Sequence, residues 1–417
     1  MTTSSVTPAA VPTAARPAHR DGNVLRWLAA YTASMVGDNV YWITLSWAAV
    51  QSGTPAQAGL VTAVSALPRA LLMLAGGVVA DRFGPRRIVI GSDAVRCAAV
   101  LGAAALLHLT SPGLWPLTAL ALVFGTVDAV FMPAVGALPA RITRTDQLAR
   151  VHGMRGMAIR FAGVTGAPLG GLGVALGGAA AAFGLAGLLI ALSVPLLLGV
   201  RVRELPADGS ATAGGTARRD LVAGLRHIRR HRVLAPLLLT IALGDLGFVG
   251  PLNVGLTLLA DERGWGAPGM GWVLAGFGVG AGAASLLLAV RGRVPHAGRV
   301  IACTVLAGSV AIGALAYVPG VLAAVGVALL VGLLTGLSGA LCGALLQTLT
   351  DPAYLGRVTA VAGLVSLGLA PLGMPLSAAA IGAWGTGPVF VAGAVVCGLG
   401  GVVALAVRDL RRAELPG

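Results

Sequence analysis

From residue 24 onward, short polar turns cut the chain into apolar runs of roughly 18 to 26 residues, and ~20 such residues is the length that an α-helix needs to cross a bilayer. The runs fall near residues 24–50, 56–80, 88–109, 114–139, 151–175 and 178–200, and again near 233–259, 268–290, 299–318, 320–346, 358–381 and 387–407. Hydrophobic residues make up 57% of the 417, charged residues 11%, and there are 62 glycines, a balance that no soluble domain can carry on its surface. The sequence therefore predicts an all-α membrane protein with twelve transmembrane helices in two sets of six.

The basic residues are all arginine, and their positions set the expected topology. Arg82, Arg86 and Arg87, then Arg141, Arg144 and Arg150, then Arg291, Arg293 and Arg299, and then Arg357 fall in alternate loops, with Arg408, Arg411 and Arg412 after the last run. The opposite loops, around Ser52, Ser111, Gly177, Pro319 and Gly385, carry none, and Arg263 beside Asp261 and Glu262 is the exception. By the positive-inside rule the arginine-rich loops and both termini are expected in the cytoplasm. The predicted organisation is a disordered tail over 1–22, an N-terminal six-helix bundle over 23–200, a linker over 201–232, a C-terminal bundle over 233–407 and a tail over 408–417. Within the linker, Leu221, Val222, Leu225 and Ile228 share a helical face opposite Arg226, Arg229 and Arg230, the pattern of a helix lying flat at a membrane surface.

A net charge of +14 raises nucleic acid as a partner, but the arginines flank apolar runs and are not interleaved with aromatics, so none is expected. Cys97, Cys303, Cys342 and Cys397 lie singly inside apolar runs, which supports neither a disulfide framework nor a metal site. The chain has no HExxH, GxSxG or Walker loop, so a membrane-embedded enzyme or a receptor lacks support, a nucleotide-driven pump would need a partner, and no cofactor is expected.

The two halves echo each other. Gly37-Asp38 returns as Gly244-Asp245 and Leu148-Ala-Arg150-Val as Leu355-Gly-Arg357-Val, both at an offset of 245 − 38 = 357 − 150 = 207. Ala167-Pro-Leu-Gly170 returns as Ala370-Pro-Leu-Gly373. Such an echo predicts parallel repeats about an axis along the membrane normal, with a cavity between them at mid-depth.

A charge at the bilayer centre costs ~2.5–3.5 kcal/mol on insertion scales, so each one there needs a reason. Asp38, Arg69, Asp128, Arg160 and Asp245 fall near mid-depth, with Arg155 nearer the arginine-rich side and Asp93 and Arg96 a turn or two into the third run. Two readings stand for the four in the first half: ion pairs that lock that half together, or an acid that lines the cavity and exchanges a proton as its neighbours change. Asp38 is the first candidate for that acid and Asp128 the second. Asn39, Tyr41, Trp42 and Trp47 around Asp38 offer polar and aromatic groups to an amphipathic ligand. Asp245, among Leu243, Leu246 and Phe248, is either a lone proton site or a cap on unwound backbone at Gly250-Pro251. Pro68, Pro133, Pro168, Pro251 and Pro371 are expected to kink their helices, while Gly166 and Gly170 let backbones pack closely.

The turn Gly77-Val-Val-Ala-Asp81-Arg82-Phe-Gly84-Pro-Arg86-Arg87 resembles the loop after the second helix of major facilitator transporters, with Val79 and Pro85 as departures. Gly163-Val-Thr-Gly166-Ala-Pro168-Leu-Gly170-Gly171 is similar to the glycine and proline motif of facilitator antiporters, with Ala167 where a glycine usually stands; close packing alone also accounts for it. Gly37-Asp-Asn-Val-Tyr-Trp42, Ala66-Leu-Pro-Arg69, Ser92-Asp93-Ala-Val-Arg96, Leu138-Pro-Ala-Arg141 and Gly356-Arg-Val358 extend the resemblance to the bacterial branch that includes macrolide exporters and the enterobactin exporter. The resemblance implies a cytoplasmic gate of Gly77, Asp81, Arg82, Gly84, Arg86 and Arg141. In that gate Asp81 would pair with Arg141 and cap the eleventh helix near Val358, and Asp93 and Arg96 would complete the latch. Pro68, Gly166, Pro168 and Gly170 would be hinge positions. The buried arginine that many proton-coupled drug antiporters carry in the fourth helix is missing here, and Asp128 stands in that helix instead.

The expectation is a monomeric secondary transporter in a bacterial inner membrane that exports amphipathic or hydrophobic small molecules against inward proton flow. Uptake, or lipid flipping between leaflets, is the alternative on the same fold.

Overall fold

The computed structural model describes residues 18–110, 113–144, 147–203, 217–291, 294–351 and 354–414. The chain forms α1 (Gly22–Ser52), α2 (Pro55–Phe83), α3 (Pro85–Leu109), α4 (Trp115–Ile142), α5 (Leu148–Leu198) and α6 (Ala217–Arg230). It continues as α7 (Leu234–Gly250), a π-turn (Pro251–Gly255), α8 (Leu256–Glu262), α9 (Gly266–Arg291), α10 (Ala297–Leu315), α11 (Val321–Leu349), α12 (Leu355–Trp384), α13 (Thr386–Ala406) and the short α14 (Arg408–Arg411). Among the described residues, eight stretches are long and apolar enough to cross a membrane. One of them, α5, holds two spans: Gly177 leaves helical geometry and Gly178 takes φ 69°, a left-handed conformation that suits glycine. The arms then fold back, so that a Cβ at Gly173 would lie 3.2 Å from Ala182 Cα. With α1, α2 and α12, which have 31, 29 and 30 residues, this makes twelve spans in two sets of six.

Each half has its own interior. In the first, α1 packs on α5 and α2 on α4, with Trp27, Phe131 and Leu138 in one cluster and Leu45, Phe124 and Phe183 in another. Small residues set the spacing: a Cβ at Gly125 of α4 would lie 2.0 Å from the Ser65 carbonyl oxygen of α2, so those backbones nearly touch. In the second half, α9 packs on α11 and α10 on α13 around Leu256, Ile312 and Phe390.

The halves meet through α2 against α12 and α5 against α9. A Cβ at Gly171 would lie 2.4 Å from the Ala267 carbonyl oxygen, one at Gly271 would lie 2.6 Å from that of Ala167, and Gly59 abuts Ala378. Gln51 Nε2, at the end of α1, donates to Asp261 Oδ1 near the end of α8 over 2.7 Å. These contacts lie toward the arginine-poor end of the bundle. Ile43 and Ala167 of the first half accordingly share an apolar cluster with Leu252, Met270 and Val273 of the second.

Pro68, Pro133 and Pro168 lie inside continuous helical spans, whereas at Pro251 the helix passes into a π-turn, with no unwound backbone for Asp245 to cap. The side chains of Gly77, Asp81, Leu221, Val222 and Pro371 lie outside the described residues, and with them the expected Asp81–Arg141 pair.

Candidate functional site

Arg96 is the hub of a buried charge network in the first half. Its side chain has no solvent exposure, and Nη1 donates to Asp38 Oδ2 at 2.7 Å and to Asp128 Oδ1 at 3.3 Å. Nη2 bonds the Asp93 carboxylate and donates to Ser34 Oγ at 3.2 Å, while Ser34 Oγ donates to Asp93 Oδ1 at 3.0 Å and Ser193 Oγ to Asp93 Oδ2 at 2.5 Å. The guanidinium also lies over the Phe131 ring, 3.9 Å from its centroid, which favours a desolvated cation. Arg69 of α2 approaches Asp128 Oδ2 to 3.7 Å. Five helical spans thus contribute to one cluster.

This placement corrects the expectation for Asp93 and Arg96, which join the mid-depth acids and not the gate. The reason is helix length: with α3 starting at Pro85, a rise of 1.5 Å per residue puts positions 93 and 96 about 12 and 16 Å into the helix, near the middle of a core ~30 Å thick. It also answers the missing arginine of the fourth helix, because Asp128 meets guanidiniums from α2 and α3. With all groups ionised, two guanidiniums face three carboxylates, 2 − 3 = −1. Among the described residues Asp38 Oδ1 is buried with no hydrogen-bond partner.

Two cavities adjoin one another where the halves meet. One of about 470 Å³ is lined by Asn39, Trp42, Arg69 and Arg160 from the first half and by Asn253 and Phe277 from the second. The other, about 770 Å³, holds Asp245 with Phe248, Phe277, Thr335 and Ser366. The second cavity lies within the second half except for Arg160 at its edge, and Arg160, Phe277 and Ala281 border both, so the two share a wall and are together termed the chamber. Asp245 Oδ2 accepts from Ser366 Oγ at 2.5 Å, so a hydroxyl is its partner where Asp38 has an arginine. Three residues depart from the expectation that they line the cavity: Tyr41 stacks on Phe124 at 3.7 Å within the first half's own core, and Asp38 and Asp128 are turned to Arg96 and Arg69 and are not among the chamber's lining residues. Gly166 and Gly170 press α5 against Asn39 and Ile43 of α1, and Pro168 lies against Gly271 at the contact between the halves. Arg82, Gly84, Arg86 and Arg141 gather around a separate basic pocket at the arginine-rich end.

The pairing that sequence reasoning missed had one legible signal. Asp93 and Arg96 are three residues apart, hence on one helix face. That they meet Ser34 and Ser193 depends on helix packing, as does the lining role of Phe277 and Ser366.

The model of the Major Facilitator Superfamily matches residues 27–365. The chain belongs to the major facilitator superfamily. It is therefore a multi-pass membrane transporter of small molecules, and the enzyme and receptor readings fall away. The multidrug efflux pump Tap of Mycolicibacterium fortuitum is 26% identical over 421 residues, spanning 94% of this chain and 98% of that protein. Tap of Mycobacterium tuberculosis strain H37Rv is 27% identical over 218 residues, 48% of this chain and 49% of that one. Among solved structures of superfamily members, the inward open xylose transporter XylE from E. coli superposes with a TM-score of 0.69 at 15% identity, covering 94% of this chain and 97% of that chain. The nucleoside transporter NupG gives 0.67 at 13% identity, covering 94% and 100%. At such identities these likenesses bear on the fold alone.

Proposed function

We propose that this transporter exports amphipathic or hydrophobic small molecules from the cytoplasm in exchange for protons, by alternating access of the chamber between its halves. The observation that carries this reading is a chamber walled by Trp42, Phe248 and Phe277 beside a charge network that is one positive charge short of balance. Aromatic and apolar walls suit a bulky ligand with few polar groups, and Asp245 offers one anchor for a cationic or hydrogen-bonding group. The full-length likeness to a multidrug efflux pump supports export over uptake or lipid flipping.

Asp38 is the coupling acid in this scheme. Its partner Arg96 is shared with Asp93 and Asp128, so a proton on Asp38 would leave two guanidiniums facing two carboxylates. Rocking of the halves would change the surroundings of Arg69, which lines the chamber and faces Asp128, and through it alternately favour the charged and the neutral form within the cluster. Asp128 is the second choice, because Arg69 also faces it. The arginine-rich loops support a reading with both termini in the cytoplasm of a bacterial cell, and a single chain is taken as the working unit. Bundles over 23–200 and 233–407, joined through 201–232, are the bodies that move, with Gly77, Asp81, Arg82, Gly84, Arg86 and Arg141 closing the cytoplasmic side and Pro68, Gly166, Pro168 and Gly170 as hinges.

The test is drug-susceptibility profiling of a sensitive host beside proton-driven flux in proteoliposomes, for wild type and Asp38→Asn. Loss of proton-driven export with ligand binding retained supports the scheme. Unchanged resistance to every compound in the variant removes Asp38 from it, and flux only in the opposite sense favours the uptake reading.

A further inference from the structure

The basic pocket at the arginine-rich end is set apart from the chamber. It encloses about 860 Å³, and Arg26, Arg87, Arg201 and Arg203 join Arg82, Arg86 and Arg141 in its wall. No described carboxylate lines it. Two of the arginines have local work: Arg26 Nη1 donates to the Gly199 carbonyl at 3.0 Å and Arg86 Nη2 to that of Leu198 at 2.6 Å, satisfying the open C-terminal end of α5. The guanidiniums of Arg87, Arg201 and Arg203 make no ion pair among the described residues. Like charges gathered around one concavity repel unless an anion sits among them, and forked guanidiniums fit phosphate oxygens closely.

The rest of the wall narrows the choice of anion. Phe83 and Leu198 border the pocket and are 55% and 60% exposed, at the ends of α2 and α5 where the membrane-spanning segments stop. A free phosphate has no use for apolar neighbours at that level, whereas a phospholipid has both a phosphate and a chain to lay beside them.

We propose that this pocket is a binding site for an anionic phospholipid of the leaflet at the arginine-rich end, with its phosphate among Arg87, Arg201 and Arg203 and its glycerol and upper chain against Phe83 and Leu198. The site goes beyond the transport reading and stands whether or not Asp38 couples protons.

Native mass spectrometry of the full chain, delipidated in detergent and titrated with phosphatidylglycerol, phosphatidylcholine or inorganic phosphate, tests it. Phosphatidylglycerol should bind about tenfold more tightly than phosphatidylcholine. The preference should vanish in R87Q/R201Q/R203Q and persist in R229Q/R230Q/R232Q, which removes the same charge elsewhere. Equal binding of the two lipids, or a preference that survives the first triple variant, overturns the site. Displacement of phosphatidylglycerol by equimolar inorganic phosphate overturns the lipid assignment. Should the triple variant not fold, Arg201→Gln alone must weaken phosphatidylglycerol about threefold, and undiminished binding there is equally fatal.

Discussion

Arg96 Nη1 and Asp38 Oδ2 stand 2.7 Å apart, tying the middle of α3 to the middle of α1. The same guanidinium reaches Asp93 and Asp128, so its loss would leave Asp38 without an ion-pair partner among the described residues, leave Asp93 with two serine hydroxyls and leave Asp128 with Arg69 alone. Removing one partner of a buried ion pair costs about 3–5 kcal/mol. Arg96→Met is therefore expected to lower the thermal unfolding temperature of detergent-purified protein sharply, and adding Asp38→Asn should restore part of the loss. An unchanged unfolding temperature in the single variant would mean that the cluster does not hold this half together.

Close backbone contact between α2 and α4 leads to a second expectation. A methyl group at Gly125 would meet the Ser65 carbonyl oxygen at 2.0 Å, and both neighbours are helix backbone that yields little. Gly125→Ala should destabilise by about 1–3 kcal/mol, the usual range for overpacking. The same change at Gly136 of α4, where a Cβ meets nothing within 4 Å, is the matched control and should leave stability nearly unaltered.

Much of the fold was legible because lipid imposes one length on every crossing. The expected run over 88–109 appears as Pro85–Leu109, and the expected break between 175 and 178 appears as the Gly177–Gly178 reversal. The echo of Asp38 in Asp245 falls on the first membrane helix of each set of six, α1 and α7. It says nothing of their partners, Arg96 and Ser366, which come from α3 and α12 and have no matching echo. Tyr41 was misplaced for a related reason: when most faces of a helix are apolar, periodicity cannot tell the face against its own bundle from the face toward the chamber. The π-turn at Pro251 left no signal that separates it from a kink.

His231, between α6 and α7 and outside the spans, yields a pH dependence. Its Nδ1 accepts from the backbone N–H of Val233 and of Leu234, each at 3.2 Å, and so serves the open N-terminal end of α7 only while that nitrogen is unprotonated. Partial burial, with His227 close by, lowers its pKa from the ordinary 6.5. A depressed folded value means that this stabilisation is fully present above pH 6.5 and is lost as the pH falls below it toward the folded value. The protection of the first-turn amides of α7, taken relative to their intrinsic pH-dependent exchange, should fall over that window in wild type. In His231→Ala, protection should be low and independent of pH, with a loss of about 1 kcal/mol typical of a removed cap.

At the arginine-poor end, the halves are held by Gln51 bonding to Asp261 and by Gly171 lying against Ala267. The hydrogen bond is exposed and contributes about 0.5 kcal/mol, so Gln51→Ala should shift an open–closed equilibrium only about twofold. A side chain at Gly171 acts differently, because its Cβ would stand 2.4 Å from a carbonyl oxygen that belongs to the other half. Gly171→Val can be accommodated only by separating α5 from α9 at that level, which biases the protein toward opening at the arginine-poor end. Spin labels on Ser52 and Ala383, both exposed and one at that end of each half, would report the separation by electron–electron distance measurement. The valine variant should move the main distance outward by several ångströms while Gln51→Ala changes only populations, and an unaltered distance in the valine variant would show that this contact does not govern closure.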